Sequence, residues 1–176
     1  MILVFLFVGA IIFAVSNVFF KNKTVKITWS IIGLILTIGS IVLIILNSNQ
    51  HFGMKTVHFT KTYSLVTSVP RKKVLLYKQI GTKDERIYFY KTNPMNKKLQ
   101  NTEGKLNNVG LKEDTKKTQL KVTKKYWVYK NEEFRLLFSS GIPNHQFINR
   151  HYSFSLKSGW STIELPTNKN NNANIN

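Results

Sequence analysis

The sequence predicts a membrane-anchored α+β protein, with an N-terminal two-helix transmembrane hairpin followed by a small antiparallel β-rich domain, either a sandwich or a partly open barrel. Three observations carry that prediction. Residues 1–50 hold two long apolar runs whose only charged side chains are Lys21, Lys23 and Lys26. From Met54 onward, apolar and polar residues alternate in short stretches, the period of half-buried strands. Charge is also split, because the 26 Lys and Arg and the 8 acids fall almost wholly in the distal part, which carries a formal excess of about +15.

The first run, about residues 2–20, is interrupted only by Ser16 and Asn17 near its end. At 1.5 Å per residue it reaches about 28 Å, close to the roughly 30 Å of a bilayer's hydrocarbon core. The second run, about residues 27–46, tolerates only mild residues such as Thr28, Ser30, Thr37 and Ser40. Neither run shows the polar stripe at 3.6-residue spacing that a soluble core helix carries. No basic n-region precedes the first run and no small-residue cleavage site follows it, so it reads as a retained helix rather than a signal peptide.

The six residues from Lys21 to Lys26 leave room for a tight turn only, so the helices are expected side by side and antiparallel. Gly9, Ala10 and Ala14 on the first helix and Gly33, Gly39 and Ser40 on the second are the small residues expected to permit close approach. Lys21, Lys23 and Lys26 act as topology determinants, since the positive-inside rule places a lysine-rich turn in the cytoplasm. Both termini and the basic domain are then expected outside, in a two-span protein of a bacterial plasma membrane. Trp29 suits an interfacial anchor.

The expected domain plan is a hairpin over 1–50, a basic β-rich domain over 51–165 and a disordered tail over 166–176. Within the domain, residues 74–80 and 86–92 flank Gly81-Thr82-Lys83-Asp84-Glu85 and read as a hairpin. Residues 120–130 and 134–139 flank Asn131-Glu132-Glu133 and read as a second. Tyr152, Phe154 and Leu156 alternate with Ser153, Ser155 and Lys157 in a further strand. The polar stretch 93–118, rich in Asn, Lys, Thr and Gly, reads as a long mobile loop.

Catalytic chemistry finds little footing. The chain has no cysteine, which removes thiolate metal sites and thiol nucleophiles. His51, His58, His145 and His151 lack the i,i+4 pairing of a helical metal site, so neither a metal nor a cofactor is assigned. The acid pairs Asp84-Glu85 and Glu132-Glu133 fall in expected turn tips, where water levels their pKa values. No Gly-x-Ser-x-Gly elbow is present.

The basic excess instead favours a polyanionic partner. Lys91, Lys124, Lys125 and Lys130 are the candidate contacts, lying beside Tyr88, Tyr90, Trp127 and Tyr129. The leading expectation is a non-enzymatic anchored module whose partners are the lipid bilayer, an anionic lipid or wall polymer, or a larger membrane protein. A cytoplasm-facing barrel that stacks single-stranded nucleic acid on those aromatics is the alternative, disfavoured by the expected topology. A small surface hydrolase using His145 or His151 is the third reading.

Several short segments also carry a family resemblance. Ser16-Asn17 ends the first span, Lys21-Asn22-Lys23 forms the turn, His51-Phe52-Gly53-Met54 follows the second span, and Trp127-Val128-Tyr129-Lys130-Asn131 ends a strand. In this order they resemble a family of small bacterial membrane proteins known as a domain of unknown function, family 4811, over most of the chain to about Leu165. The resemblance implies a bacterial plasma membrane and brings no functional residues with it.

Overall fold

The computed structural model describes residues 1–80, 85–95 and 98–166. Two long helices open the chain, α1 over Ile2–Phe19 and α2 over Lys23–Gln50. They span about 27 Å and 42 Å at 1.5 Å per residue, so each is long and apolar enough to cross a membrane. Most of their apolar side chains point outward; Phe7 and Ile35 are 63% and 67% exposed. Helices in the core of a soluble protein bury such residues.

α2 runs further than its apolar stretch at both ends, and its caps explain why. The Asn22 side chain accepts the Thr24 amide at 3.0 Å and starts the helix. At the far end His51 turns into the left-handed region (φ 54°), while its own N–H reaches Asn47 O and the Phe52 N–H reaches Leu46 O.

The helices touch along a seven-residue repeat. Ile2, Gly9 and Ser16 are buried on α1, and Gly33, Ser40 and Asn47 on α2. A strict seven-residue spacing keeps one seam facing its partner along a left-handed supercoil. Gly9 and Gly33 set the approach, because a Cβ on Gly33 would sit 2.6 Å from Phe13 N and 2.8 Å from Gly9 O. Near the turn, Ser16 and Ser30 share a 2.8 Å hydrogen bond and the Asn17 amide donates to Ser30 Oγ. The expected small-residue face is thus corrected in part. Ala10 and Ala14 are exposed, and nothing lies within 4 Å of where a Gly39 Cβ would be.

Among the described residues, eight strands follow, with one short helix between them. They are β1 (Met54–Ser64), β2 (Val74–Gln79), β3 (Arg86–Tyr90), β4 (Gln100–Asn101), β5 (Asn107–Thr115), β6 (Gln119–Tyr129), β7 (Gln146–Lys157) and β8 (Ser161–Glu164), with α3 at Glu132–Leu137. They form two open four-stranded sheets, ordered β1-β6-β7-β5 and β4-β3-β2-β8, so there is no closed barrel. β2 and β3 make the expected antiparallel hairpin, pairing Leu76 with Phe89 and Gln79 with Arg86. Its tip, residues 81–84, lies outside the described residues, as do residues 167–176 of the expected disordered tail.

Three expectations change. Pairing is not wholly antiparallel, since β2 runs parallel to β8 and β5 parallel to β7. The partners in each case are far apart in sequence, and alternation has the same period in either direction, so no local signal distinguishes them. The stretch 93–118 is not one loop but holds β4 and β5, which hydrogen bonding to β3 and β7 orders despite polar composition. The second hairpin is absent: residues 132–137 form α3 rather than a turn and a strand. Asn131 caps it by accepting the Phe134 amide, Glu132 and Glu133 suit the positive end of the helix dipole, and Glu132 pairs with Arg135. Phe134 and Phe138 stack four residues apart, a helical spacing that two-residue alternation had concealed.

The chain divides into two compact units, Met1–Val57 with Tyr126–Phe147, and His58–Lys125 with the described residues from Ile148 onward. In the first, Ile2, Met54, Tyr129 and Phe138 form a small core joined by Leu43, Ile44, Phe134 and Leu137. Gly53, at φ 81°, presses so close to the Phe134 ring that a Cβ would come within 2.7 Å of it. In the second, Leu75, Tyr88, Tyr90, Leu120, Val122, Tyr152, Phe154 and Leu156 are drawn from both sheets into one core.

Candidate functional site

Strand parity builds the site. On β6 the inward residues are Leu120 and Val122, and the next residue of that parity is Lys124. On β7 they are Leu156, Phe154 and Tyr152, and the next is Arg150. Each core-facing row is thus interrupted by a cation. The two cations line one cavity of about 220 Å³ in the second unit, together with Tyr63, Tyr90 and Tyr152 and the polar Thr92 and Gln100. Leu120 and Val122 close its apolar side.

Within it, Arg150 Nη1 donates to the Tyr152 hydroxyl at 3.0 Å, and the guanidinium lies 5.9 Å from the centre of that ring. Because the Tyr152 oxygen accepts from the guanidinium, its own proton is left to donate. The Tyr90 ring sits 6.0 Å from the Tyr152 ring. Burial, reinforced by the neighbouring Tyr152 phenol, pushes the Tyr90 hydroxyl well above its ordinary value of 10.0.

That displacement gives a direct check. Alkaline titration of the folded protein, followed by phenolate absorbance, is expected to show a tyrosine that ionises later than an ordinary phenol, and Tyr90→Phe to remove that late step. The sign for stability follows, since a folded pKa raised above the unfolded one stabilises fully below about pH 10, and the contribution is lost as pH rises through the folded value.

Among the described residues no carboxylate lines the cavity, which presents guanidinium and ammonium N–H groups together with phenolic O–H groups. Such a donor set suits an anion, and Arg offers the planar fork that matches phosphate or carboxylate. At about 220 Å³ the space is below the roughly 300 Å³ at which pockets enclose drug-sized ligands, so it suits one charged group of a larger molecule. A larger cavity of about 710 Å³ borders β3 and β5, but its lining mixes Glu85 and Glu103 with Arg86 and Lys105 and favours neither sign.

Of the four lysines singled out in the sequence, only Lys124 lines the site. Lys125 follows it on β6 and faces the other way. Lys91 is half-buried and its carbonyl accepts the Val66 amide. Lys130 lies past the end of β6, exposed, with its N–H bonded to Gly53 O. Lys21, Lys23 and Lys26 sit at the α1–α2 turn and in the first turn of α2. The proposed stacking face does not form, because Tyr88, Tyr90 and Tyr129 are buried and Trp127 stacks on His51 at 4.4 Å. His145 and His151 are both exposed.

Sequence reasoning missed Arg150, Tyr63 and Tyr152 as site residues. The signal was available: Arg150 shares the parity of Tyr152, Phe154 and Leu156, and a charge on the core-facing row of a strand demands a reason.

Residues 22–169 match the profile of the family described as Domain of unknown function (DUF4811). The chain belongs to that family. The DUF4811 region takes in α2, α3, all eight strands and every residue of the cavity, while α1 precedes it. No curated protein and no solved structure matches the chain.

Proposed function

We propose that this DUF4811 protein is a non-enzymatic membrane-anchored module that holds an anionic group of a surface partner in the Arg150–Lys124 cavity. The observation that carries the reading is the cavity's lining, in which two cations and three tyrosines converge with no carboxylate among the described residues. The anion belongs to chemistry shared by anionic lipid head groups and wall polymers, and the +15 excess of the distal part draws such partners in at longer range.

The anchor is the α1–α2 hairpin in the plasma membrane, with its turn in the cytoplasm and both termini outside. Lys23 and Lys26 support this orientation in a physical way. They stand in the first turn of α2, where the helix dipole disfavours cations by about 0.3–1 kcal/mol each. Helix stability does not call for them there, whereas the positive-inside rule does.

The test uses the full chain in nanodiscs of zwitterionic lipid, titrated with soluble poly(glycerol phosphate), with vesicles containing phosphatidylglycerol as a second arm. Binding is expected to weaken with salt, and Arg150→Gln and Lys124→Gln are each expected to lower affinity about tenfold, the value of one charge-assisted contact. Affinity unmoved by salt and by both substitutions, in variants that keep the parent circular dichroism, rejects the site. Sidedness is read separately on intact cells by placing a single cysteine at Ser158 or Asn22 and adding an impermeant thiol reagent. Labelling at position 158 and not at 22 is the expected result.

A further inference from the structure

The first unit carries a feature that an anchor alone does not require. α3 is fastened by its C-terminal end to the start of α1. The Met1 ammonium donates to the carbonyls of Leu136 and Leu137 at 3.0 and 3.2 Å and to Ser139 Oγ at 3.1 Å. A cation at the negative end of a helix is the favourable arrangement. Ile2, 3% exposed, packs with Phe138 in the small core that Leu43, Ile44 and Leu137 join. These contacts fix the last turn of α3 at the level of Ile2 on α1 and Leu43–Ile44 on α2.

That level has a meaning once the helices cross a bilayer. The apolar stretch of α2 from residue 27 to 46 extends about 30 Å, which matches the hydrocarbon thickness. Leu43 and Ile44 lie within its last turn, so the end of α3 reaches the hydrocarbon boundary. Polarity in α3 is graded along its axis to match, with Arg135 of the last turn paired back to Glu132 at the polar end. Asn131, Glu132 and Glu133 occupy the end away from Met1, whereas Leu136, Leu137 and Phe138 occupy the end beside it. Leu136 is 47% exposed although it is apolar, and nearby in the same unit Phe52 is 42% exposed with its ring edge-on to Phe134 and Phe138. Leu137 also lines an apolar groove of about 440 Å³ that runs along the helices past Ile2, Leu43 and Leu36.

We infer that α3 is an interfacial seat, standing with its C-terminal end in the bilayer so that Leu136 and Leu137 enter the acyl region of the phospholipid while Glu132 and Glu133 remain in water. Burying an exposed leucine in this way is favourable by the ordinary hydrophobic term, and Trp127 and Tyr126 in the same unit suit the head-group belt. The seat holds the residues between β6 and β7 against the membrane surface. It rests on the reading of the hairpin as a membrane anchor and goes beyond it.

Because the chain has no cysteine, nitroxide labels are placed singly in the full chain in phospholipid vesicles, at Leu136, Ser139, Glu133, Lys130 and, as a reference, Ile35. Accessibility to oxygen is compared with accessibility to a water-soluble nickel chelate. The oxygen-to-nickel ratio is expected to be highest at position 35 and several-fold higher at 136 and 139 than at 130 and 133. If position 35 is lipid-embedded but 136 and 139 are as aqueous as 133, the seat is wrong and the anchor stands. If position 35 itself is aqueous, both fall. Circular dichroism of each labelled protein shows whether the helices survive, and the Leu136 label reports on the seat at an exposed side chain while keeping the Ser139 hydroxyl that Met1 bonds.

Discussion

Gly33→Leu is expected to pry the two N-terminal helices apart. A Cβ at this position would lie 2.6 Å from Phe13 N, 2.8 Å from Gly9 O and 3.0 Å from Phe13 Cα, and all three are backbone atoms. A clash with the tip of a side chain is relieved by a rotamer change, but a clash with backbone is relieved only by moving a helix. Overpacking a well-fitted contact costs about 1–3 kcal/mol, and the rigid neighbours put this case at the upper end or beyond. Separation also breaks the Ser16–Ser30 hydrogen bond and its Asn17 companion, which have no water to replace them if the helices lie in lipid. The measurement is disulfide formation between cysteines placed at Ser16 and Ser30, expected to be efficient in the parent and largely lost in the Gly33→Leu background. Gly39→Leu and Ala14→Leu are the controls. Open space surrounds Gly39 and Ala14 is exposed, so both are expected to leave cross-linking intact.

The same comparison shows what kind of information a sequence holds. The two apolar helices and the β-rich remainder were legible because length, charge and period are local properties. Which small residues meet was not, since the choice of Gly9, Gly33 and Ser40 over Ala10, Ala14 and Gly39 depends on the rotation of one helix against the other. A seven-residue search would have narrowed it, for Ile2, Gly9 and Ser16 repeat at that interval, as do Gly33, Ser40 and Asn47. α3 was hidden by reading Phe134, Leu136 and Phe138 as an alternating strand when Asn131-Glu132-Glu133 was already a helix start. The parallel pairs β2–β8 and β5–β7 left no local mark at all.

Of the proposed anion site, Lys124 was legible from its company of aromatics and Arg150 was not. Closeness to aromatics in sequence does not mark it, because the cavity gathers residues from β1, β3, β4, β6 and β7 that meet only through sheet packing. The useful question was narrower: which charged side chains stand on the inward row of a strand. Lys124 and Arg150 both answer it, and Lys125, Lys91 and Lys130 do not line the cavity.

Phe154→Ala is expected to be the most destabilising single change in the second unit. Phe154 is fully buried at the middle of the inward row of β7, and its ring lies 5.3 Å from Tyr88 and 5.6 Å from Tyr90, residues of the other sheet. Removing a ring of that size costs about 3–5 kcal/mol, against a total of about 5–15 kcal/mol for a typical domain. The expected readout is an earlier unfolding midpoint in urea, followed by near-ultraviolet circular dichroism of the tyrosines and by Trp160 fluorescence, since Trp160 packs against the same core. Phe154→Leu keeps most of the volume and is expected to lose far less. The consequence reaches the site as well. Tyr90 is held against both Phe154 and Tyr152, so a cavity opened behind it frees the phenol that borders Arg150. Affinity for poly(glycerol phosphate) is therefore expected to fall in Phe154→Ala at urea concentrations where the protein remains folded, although no cavity-lining residue has been changed. Unaltered affinity there would mean that the anion is held by Arg150 and Lys124 alone, with no contribution from the position of Tyr90.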